Sequence, residues 1–196
     1  MKLYLINLNC VSQTELAEWF DAMSDVRREE VLRLKVESKK ASKIAADHLC
    51  RKAVSEFCGV SPDKIEFGKN EFGKPFAVGL NIHFSVSHSG ELVVCAVSEK
   101  EIGIDVEKIR EIRPDAAKKF ACESELEYIA ENENGFFDIW TLKEAYFKCI
   151  GTGLGADIKD VSFMKKGKDF VCSKEGFTFI RPEMPQGYTG SICQKD

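Results

Sequence analysis

A chain of 196 residues that is 44% hydrophobic and 31% charged has the make-up of an ordinary globular protein and excludes a disordered one. Its 28 basic and 32 acidic residues leave a net charge of −4. Nothing global therefore directs it to nucleic acid or an anionic membrane, and any anion-binding surface must be local.

No apolar run approaches the ~18 residues of a membrane span, and the opening Met1-Lys2-Leu3-Tyr4 turns polar too soon for a secretory signal. Eight cysteines lie scattered among apolar neighbours without a Cys-x-x-Cys pair, which reads as reduced thiols in a cytoplasmic protein.

Lys2 to Leu8 alternates as a strand with two largely apolar faces, which predicts an interior position. Ser12 or Thr14 caps a short helix through Met23, with Leu16, Trp19 and Phe20 on one face. A second helix begins at Ser24-Asp25, and a long one runs from about Ser38 to Cys58, stopped by Gly59. Arg27, Arg28, Arg33, Lys35, Lys39, Lys40 and Lys43 are dense here for an acidic chain. Most suit solvated helix faces; the functional reading is that two or three converge on a phosphorylated ligand. Ile65-Glu66-Phe67 is a short strand, and Asn70 to Pro75 is a turn that holds Lys74 at a rigid bend or merely exposes it.

His83 to Ser89 alternates as a strand ending in Ser87-His88-Ser89-Gly90, and Glu91 to Ser98 returns. This strand end offers hydroxyls and an imidazole to a phosphate; no Gly-x-Ser-x-Gly elbow supports a nucleophilic triad. His48 and His83 read as structural.

The most informative stretch is Ile102-Gly103-Ile104-Asp105-Val106-Glu107. As a strand it points Ile102, Ile104 and Val106 into a core and sets Asp105 and Glu107 on the other face beside Gly103, which permits close approach. Two neighbouring carboxylates with room around them suit a hard ion such as Mg²⁺. They equally suit the charged face of an exposed edge strand.

Pro114 starts a helix reaching about Cys122, Glu123 to Asn132 forms another, and Phe136 to Ile150 is the strongest helix of the second half. Glu144 and Lys148, four apart, share a face away from its apolar stripe, where a surface ion pair is the plain reading. Gly151 to Gly155 is a glycine turn without the Walker pattern. Short strands follow at Val161–Met164, Phe170–Cys172, Phe177–Ile180 and Tyr188–Cys193.

Four motifs in chain order give these pieces a family likeness: Gly73-Lys74-Pro75, Phe84-Ser85-Val86-Ser87-His88-Ser89, Gly103-Ile104-Asp105-Val106-Glu107, and the run Trp140 to Lys148. Together they resemble the 4′-phosphopantetheinyl transferases, in particular the larger, surfactin-synthetase-activating type. The resemblance implies an α+β fold, a pseudo-dimer of two similar subdomains (residues 1–100 and 101–196), each a small, mainly antiparallel sheet packed with a long helix. Coenzyme A would bind in the cleft between them.

The activity it implies is transfer of phosphopantetheine from coenzyme A to a serine of an apo acyl or peptidyl carrier protein, releasing adenosine 3′,5′-bisphosphate. By the same resemblance Asp105, Glu107 and Glu144 ligate Mg²⁺, with Mn²⁺ as an alternative. Glu144 and Lys148 are the catalytic pair, Glu144 as base directly or through a water. Arg27, Lys43, Lys74, Pro75, Ser87, His88 and Lys143 contact coenzyme A. The chain is expected to be a monomer with no nucleic-acid or membrane partner. It departs from the family pattern at Ser42, where an arginine for the 3′-phosphate is common, and at Glu30, a position often basic. The alternatives are an inactive carrier-binding relative and a Mg²⁺-dependent coenzyme A hydrolase.

Overall fold

The computed structural model describes residues 1–113, 115–153, 155 and 158–196. The expected helix start at Pro114 and the Leu154 part of the glycine turn lie outside the described residues; the stretch before Cys122 carries a single 3-10 turn, Ala117–Lys119.

The first half comprises β1 (Lys2–Asn7), α1 (Gln13–Asp21), α2 (Asp25–Leu32), α3 (Glu37–Cys58), β2 (Phe67–Lys69), β3 (Pro75–Ala77), β4 (His83–Ser89) and β5 (Leu92–Ser98). The second comprises β6 (Ile102–Lys108), α4 (Glu123–Glu131), α5 (Gly135–Ile150), β7 (Phe163–Lys166), β8 (Asp169–Cys172), β9 (Phe177–Ile180) and β10 (Tyr188–Lys195). Each half has one antiparallel three-stranded sheet, ordered β1-β5-β4 and β6-β10-β9. The long helix α3 packs on the first sheet and α5 on the second, so the α+β pseudo-dimer expected from the sequence is the observed architecture.

Local sequence explains the elements. Ser12 caps α1 through a box with Glu15, each side chain bonded to the other's amide. α3 and α5 both stop at glycines in the left-handed region, Gly59 (φ 69°) and Gly151 (φ 74°). Three strand expectations need correction, one of them Val161–Met164, which forms instead over Phe163–Lys166. The one over residues 65–67 begins two residues later, at Phe67, while Ile65 is buried in a turn. β1 is an end strand, paired only with β5. Its two apolar faces are still used: Tyr4 and Ile6 meet the α3 core, and Leu3 meets the core at the seam between the halves.

The centre of that seam is apolar. β5 is buried on both faces, sending Val93, Cys95 and Val97 toward α3 and Leu92, Val94 and Ala96 toward Ile102, Ile104 and Val106 of β6. The exposed-edge reading of residues 102–107 therefore fails: Asp105 is 4% exposed. Gly103 is the closest approach of sheet and helix, since a Cβ there would lie 2.0 Å from the Ala145 carbonyl oxygen and 2.3 Å from the Cys149 amide nitrogen. Both obstacles are α5 backbone, which cannot rotate aside. Gly103→Ala is expected to cost about 3 kcal/mol, the upper end of overpacking, and to lower Tm by roughly 6–12 °C. A thermal melt within 2–3 °C of the wild type, on about the same scale, would contradict this packing.

Among the described residues no helix is long and apolar enough to cross a membrane. All eight cysteines are free thiols.

Candidate active site

The chemistry gathers where β4, β6 and α5 meet. Alternation along β4 sends Ser85, Ser87 and Ser89 toward β6. Ser85 Oγ accepts from the Ile104 amide at 3.1 Å and Ser89 Oγ from the Lys108 amide at 3.1 Å. These hydroxyls stitch two strands that share no backbone ladder.

Ser87, expected along the donor's phosphates, donates instead to Asp105 Oδ1 at 2.7 Å and accepts from Lys148 Nζ at 3.0 Å. The Lys148 ammonium also pairs with Asp105 Oδ1 at 2.7 Å. The expected Glu144–Lys148 helix pair is thus replaced by one across the seam. Glu107 accepts from Ser89 Oγ at 2.7 Å and from Arg110 at 3.0 Å.

Asp105 Oδ2 is buried and has no hydrogen-bond partner. Burial raises the Asp105 pKa, and the opposing Lys148 charge does not cancel that cost. Glu144 is pushed up to about 7, first by burial and then by Asp105 and Glu107, against Lys148. The site therefore holds more carboxylate than its own cations satisfy. This is the observation on which a divalent cation can be tested. An orphaned anionic oxygen, a second carboxyl destabilised as an anion and a third in the same field form a hard-oxygen donor set that fits Mg²⁺. Among the described residues no three His, Cys, Asp or Glu side chains are drawn together tightly enough to be ligands already.

Two cavities adjoin this centre. One of about 360 Å³ lies between the halves, lined by Gly73, Lys74, Pro75, Glu144 and Lys148. The other, about 570 Å³, is walled by Phe136, Phe137 and Trp140 and reaches Glu107 and Arg110. Arg110 links Glu107 to the aromatic wall of the second cavity, its guanidinium over the Phe137 ring at 5.4 Å.

Several sequence expectations land elsewhere. Lys143 is not in the cleft: fully buried, it pairs with the equally buried Glu125 at 2.9 Å and donates to the Ile158 and Val161 carbonyls. Its side chain leaves α5 on the core side, one residue away from Glu144 and on a different face. Lys74 lines the inter-half cavity, but its ammonium donates to the Cys149 carbonyl at 2.7 Å and the Ile102 carbonyl at 3.2 Å, capping α5 and neutralising its C-terminal dipole. Asn70 assists, donating to Gly151 O at 3.0 Å. Pro75 lines the cavity as a wall residue. His88 keeps part of its surface in solvent while protein surrounds its imidazole, and that desolvation, then the Lys148 charge, lowers its pKa. Arg27 and Lys43 stand apart from the carboxylates, joined by Glu30. His48 stacks on Trp19, centroids 4.1 Å apart, in a structural role.

Glu125 and Arg110 were not found from the sequence. A signal existed for the first: Cys122-Glu123-Ser124-Glu125 has capping-box spacing, and Glu125 does accept from the Cys122 amide at 2.9 Å. Only the fold shows that it also accepts from the Phe163 amide, at 2.9 Å, and neutralises Lys143.

Two similar α+β halves, a buried carboxylate at their seam with two half-buried ones near it, and an ammonium fixed beside it suit an enzyme acting on phosphorylated ligands. Comparison with known proteins makes this specific. Residues 11–100 match the family model described as 4′-phosphopantetheinyl transferase, N-terminal, and residues 101–182 match that of the 4′-phosphopantetheinyl transferase superfamily. The chain is 40% identical over 154 residues to 4′-phosphopantetheinyl transferase gsp of Aneurinibacillus migulanus, covering 74% of this chain and 65% of that protein. It is 32% identical over 195 residues to a 4′-phosphopantetheinyl transferase of Bacillus subtilis, covering 96% of this chain and 83% of the relative. With 4′-phosphopantetheinyl transferase Sfp of Bacillus subtilis (strain 168) it shares 31% identity over 169 residues, 83% of this chain and 75% of that one. The chain belongs to the 4′-phosphopantetheinyl transferase family.

Proposed function

We propose that the protein moves 4′-phosphopantetheine from coenzyme A to a serine of an apo acyl or peptidyl carrier protein, releasing adenosine 3′,5′-bisphosphate in a Mg²⁺-dependent reaction. The observation that carries the reading is Asp105, with one oxygen held by Ser87 and Lys148 and the other buried without a partner. Both halves of the site come from one chain, so a monomer suffices. Eight free thiols suit a reducing compartment such as the cytoplasm.

In this reading the carrier serine oxygen bonds to the pantetheine-side phosphorus of the donor's pyrophosphate. The bond from that phosphorus to the bridging oxygen breaks, and the nucleotide departs with that oxygen. Asp105, Glu107 and Glu144 would hold Mg²⁺ or Mn²⁺, which would supply Lewis-acid stabilisation of the charge that develops in the reaction. Glu144, poised at about 7, takes the serine proton directly or through a water, a contribution of roughly 10²–10⁴-fold for a well-placed base. Ligating a cation makes a carboxylate less basic, so the two duties of Glu144 oppose each other.

Lys148, aligned by Asp105 and Ser87, sets positive charge beside the leaving nucleotide. An in-line displacement separates the attacking and leaving oxygens. The inter-half cavity bearing Lys148 therefore suits the nucleotide, and the apolar cavity reached from Glu107 suits the carrier's approach.

Lys148→Ala is expected to lower kcat by roughly 10²-fold with a much smaller change in KM for coenzyme A. Equal losses in both would assign Lys148 to ground-state binding. The reaction class itself is tested by nucleotide release with and without apo carrier. Release only with carrier supports transfer; release without it makes the protein a hydrolase.

A further inference from the structure

Among the buried groups that the proposed reaction leaves unused are two thiol pairs, one in each half. Each joins the long helix of its half to that half's sheet: Cys50 of α3 with Cys95 of β5, and Cys149 of α5 with Cys193 of β10.

The second pair is built around Gly103. Cys193 is the register partner of Gly103, and directly opposed residues of an antiparallel pair point to the same face. A Cβ on Gly103 would stand 2.3 Å from the Cys149 amide nitrogen and 2.9 Å from the Cys149 Cα. That face is therefore the one α5 covers, and Cys149 is the residue lying over it. The Cys149 sulfur reaches the sheet itself. It donates to the Glu101 carbonyl at 3.3 Å, and the same carbonyl accepts from the Lys195 amide of β10 at 3.0 Å. Opposed Cα atoms are about 4.5–5.5 Å apart, which puts the two cysteines within reach of the roughly 4.4–6.8 Å that a disulfide spans. Both are free thiols buried in one apolar cluster.

Access and polarity single out this pair. Cys149 lines a small cavity of about 150 Å³, whose walls include Asn70, Lys74 and Glu101. The Lys74 ammonium is 2.7 Å from the Cys149 carbonyl oxygen. A hydrogen bond from the Cys193 thiol, and then the Lys74 charge, hold Cys149 below the ordinary thiol pKa against the cost of burial. In the first half the bond with Cys95, then burial, push Cys50 well up, and the Asp47 charge adds to this.

We infer that Cys149 and Cys193 form a peroxide-oxidisable dithiol that closes to a disulfide and fastens the last turn of α5 to β10. The Cys149 sulfur attacks one oxygen of hydrogen peroxide. The O–O bond breaks, water leaves, and Cys149 becomes a sulfenic acid. The Cys193 sulfur then attacks the Cys149 sulfur, the S–O bond breaks, and a second water leaves. Peroxide thus takes two electrons and both thiol protons. The step uses none of Asp105, Glu107 and Glu144, so it stands independently of the transferase reading.

The reduced protein would be treated with hydrogen peroxide, its remaining thiols alkylated in denaturant, and its digest mapped by mass spectrometry, for the wild type and Cys193→Ser. The wild type is expected to lose two of its eight thiols as one cross-link between Cys149 and Cys193, and dithiothreitol to restore both. The oxidised protein should melt roughly 5 °C or more above the reduced one. In Cys193→Ser the cross-link should be absent and dimedone should capture sulfenic acid on Cys149. Two unreacted thiols at these positions would overturn the inference. So would a cross-link to Cys172, which borders the same cluster, or one between Cys50 and Cys95 in its place. An oxidised protein with unchanged Tm would overturn the fastening of α5. Where Cys193→Ser fails to fold, Cys193→Ala makes the same comparison, and the wild-type cross-link map accepts or rejects the pair on its own.

Discussion

Lys143→Met should cost about 3–5 kcal/mol of stability, because it leaves the fully buried Glu125 without its cation. For a chain of this length that is a fall in Tm of roughly 6–20 °C. The lysine ties three elements: it stands on α5, pairs with α4, and holds the carbonyls of Ile158 and Val161 ahead of β7. Adding Glu125→Gln to Lys143→Met removes the stranded charge and keeps an acceptor for one of the two amides Glu125 serves. The double variant is therefore expected to melt above the single one. Were Lys143 a contact to the donor's phosphates, the single variant would keep its Tm and raise only KM for coenzyme A. Thermal melts alongside steady-state kinetics separate the two outcomes.

Asp105→Asn is expected to abolish most transfer, a loss of at least roughly 10²–10³-fold, at little or no cost in stability. Burial raises the carboxyl's folded pKa, so its ionisation above the ordinary range near 3.8 works against folding. Removing the charge removes that penalty. Asparagine keeps an acceptor for Ser87, and the partly exposed Lys148 ammonium turns to water. Unchanged Tm with lost activity marks a residue retained for chemistry. Full activity in Asp105→Asn would remove the carboxylate centre from the mechanism.

Much of this organisation was legible in the sequence because it is local. Helical periodicity with glycine stops found α3 and α5, strict alternation found β4 and β6, and the apolar run after the break at Ser89-Gly90 found β5 as the returning strand. The carboxylate pair could be read from Gly103 to Glu107 because β-alternation fixes which side chains share a face. What stayed hidden depends on partners distant in the chain. Lys143 and Glu144 are adjacent, yet one faces the core and the other the seam, and only the position of Glu125, which pairs with Lys143, distinguishes their roles. The bend at Lys74 is local, but its capping of α5 through the Cys149 carbonyl, 75 residues later, follows from tertiary contact alone. Two apolar faces suggested an interior place for β1, whereas α3 and the opposite half of the pseudo-dimer cover an end strand just as well. The convergence of Arg27, Lys43 and Lys69 on Glu30 likewise required the fold.

Intact-protein mass spectrometry reads the arrival of phosphopantetheine on a carrier serine directly. An apo carrier would be incubated with the protein, coenzyme A and Mg²⁺, with a parallel sample in EDTA. A gain of one phosphopantetheine group on the carrier, absent in EDTA and absent with Asp105→Asn, is the predicted result. An unmodified carrier, across both fatty-acid and peptide-synthetase types, would contradict it.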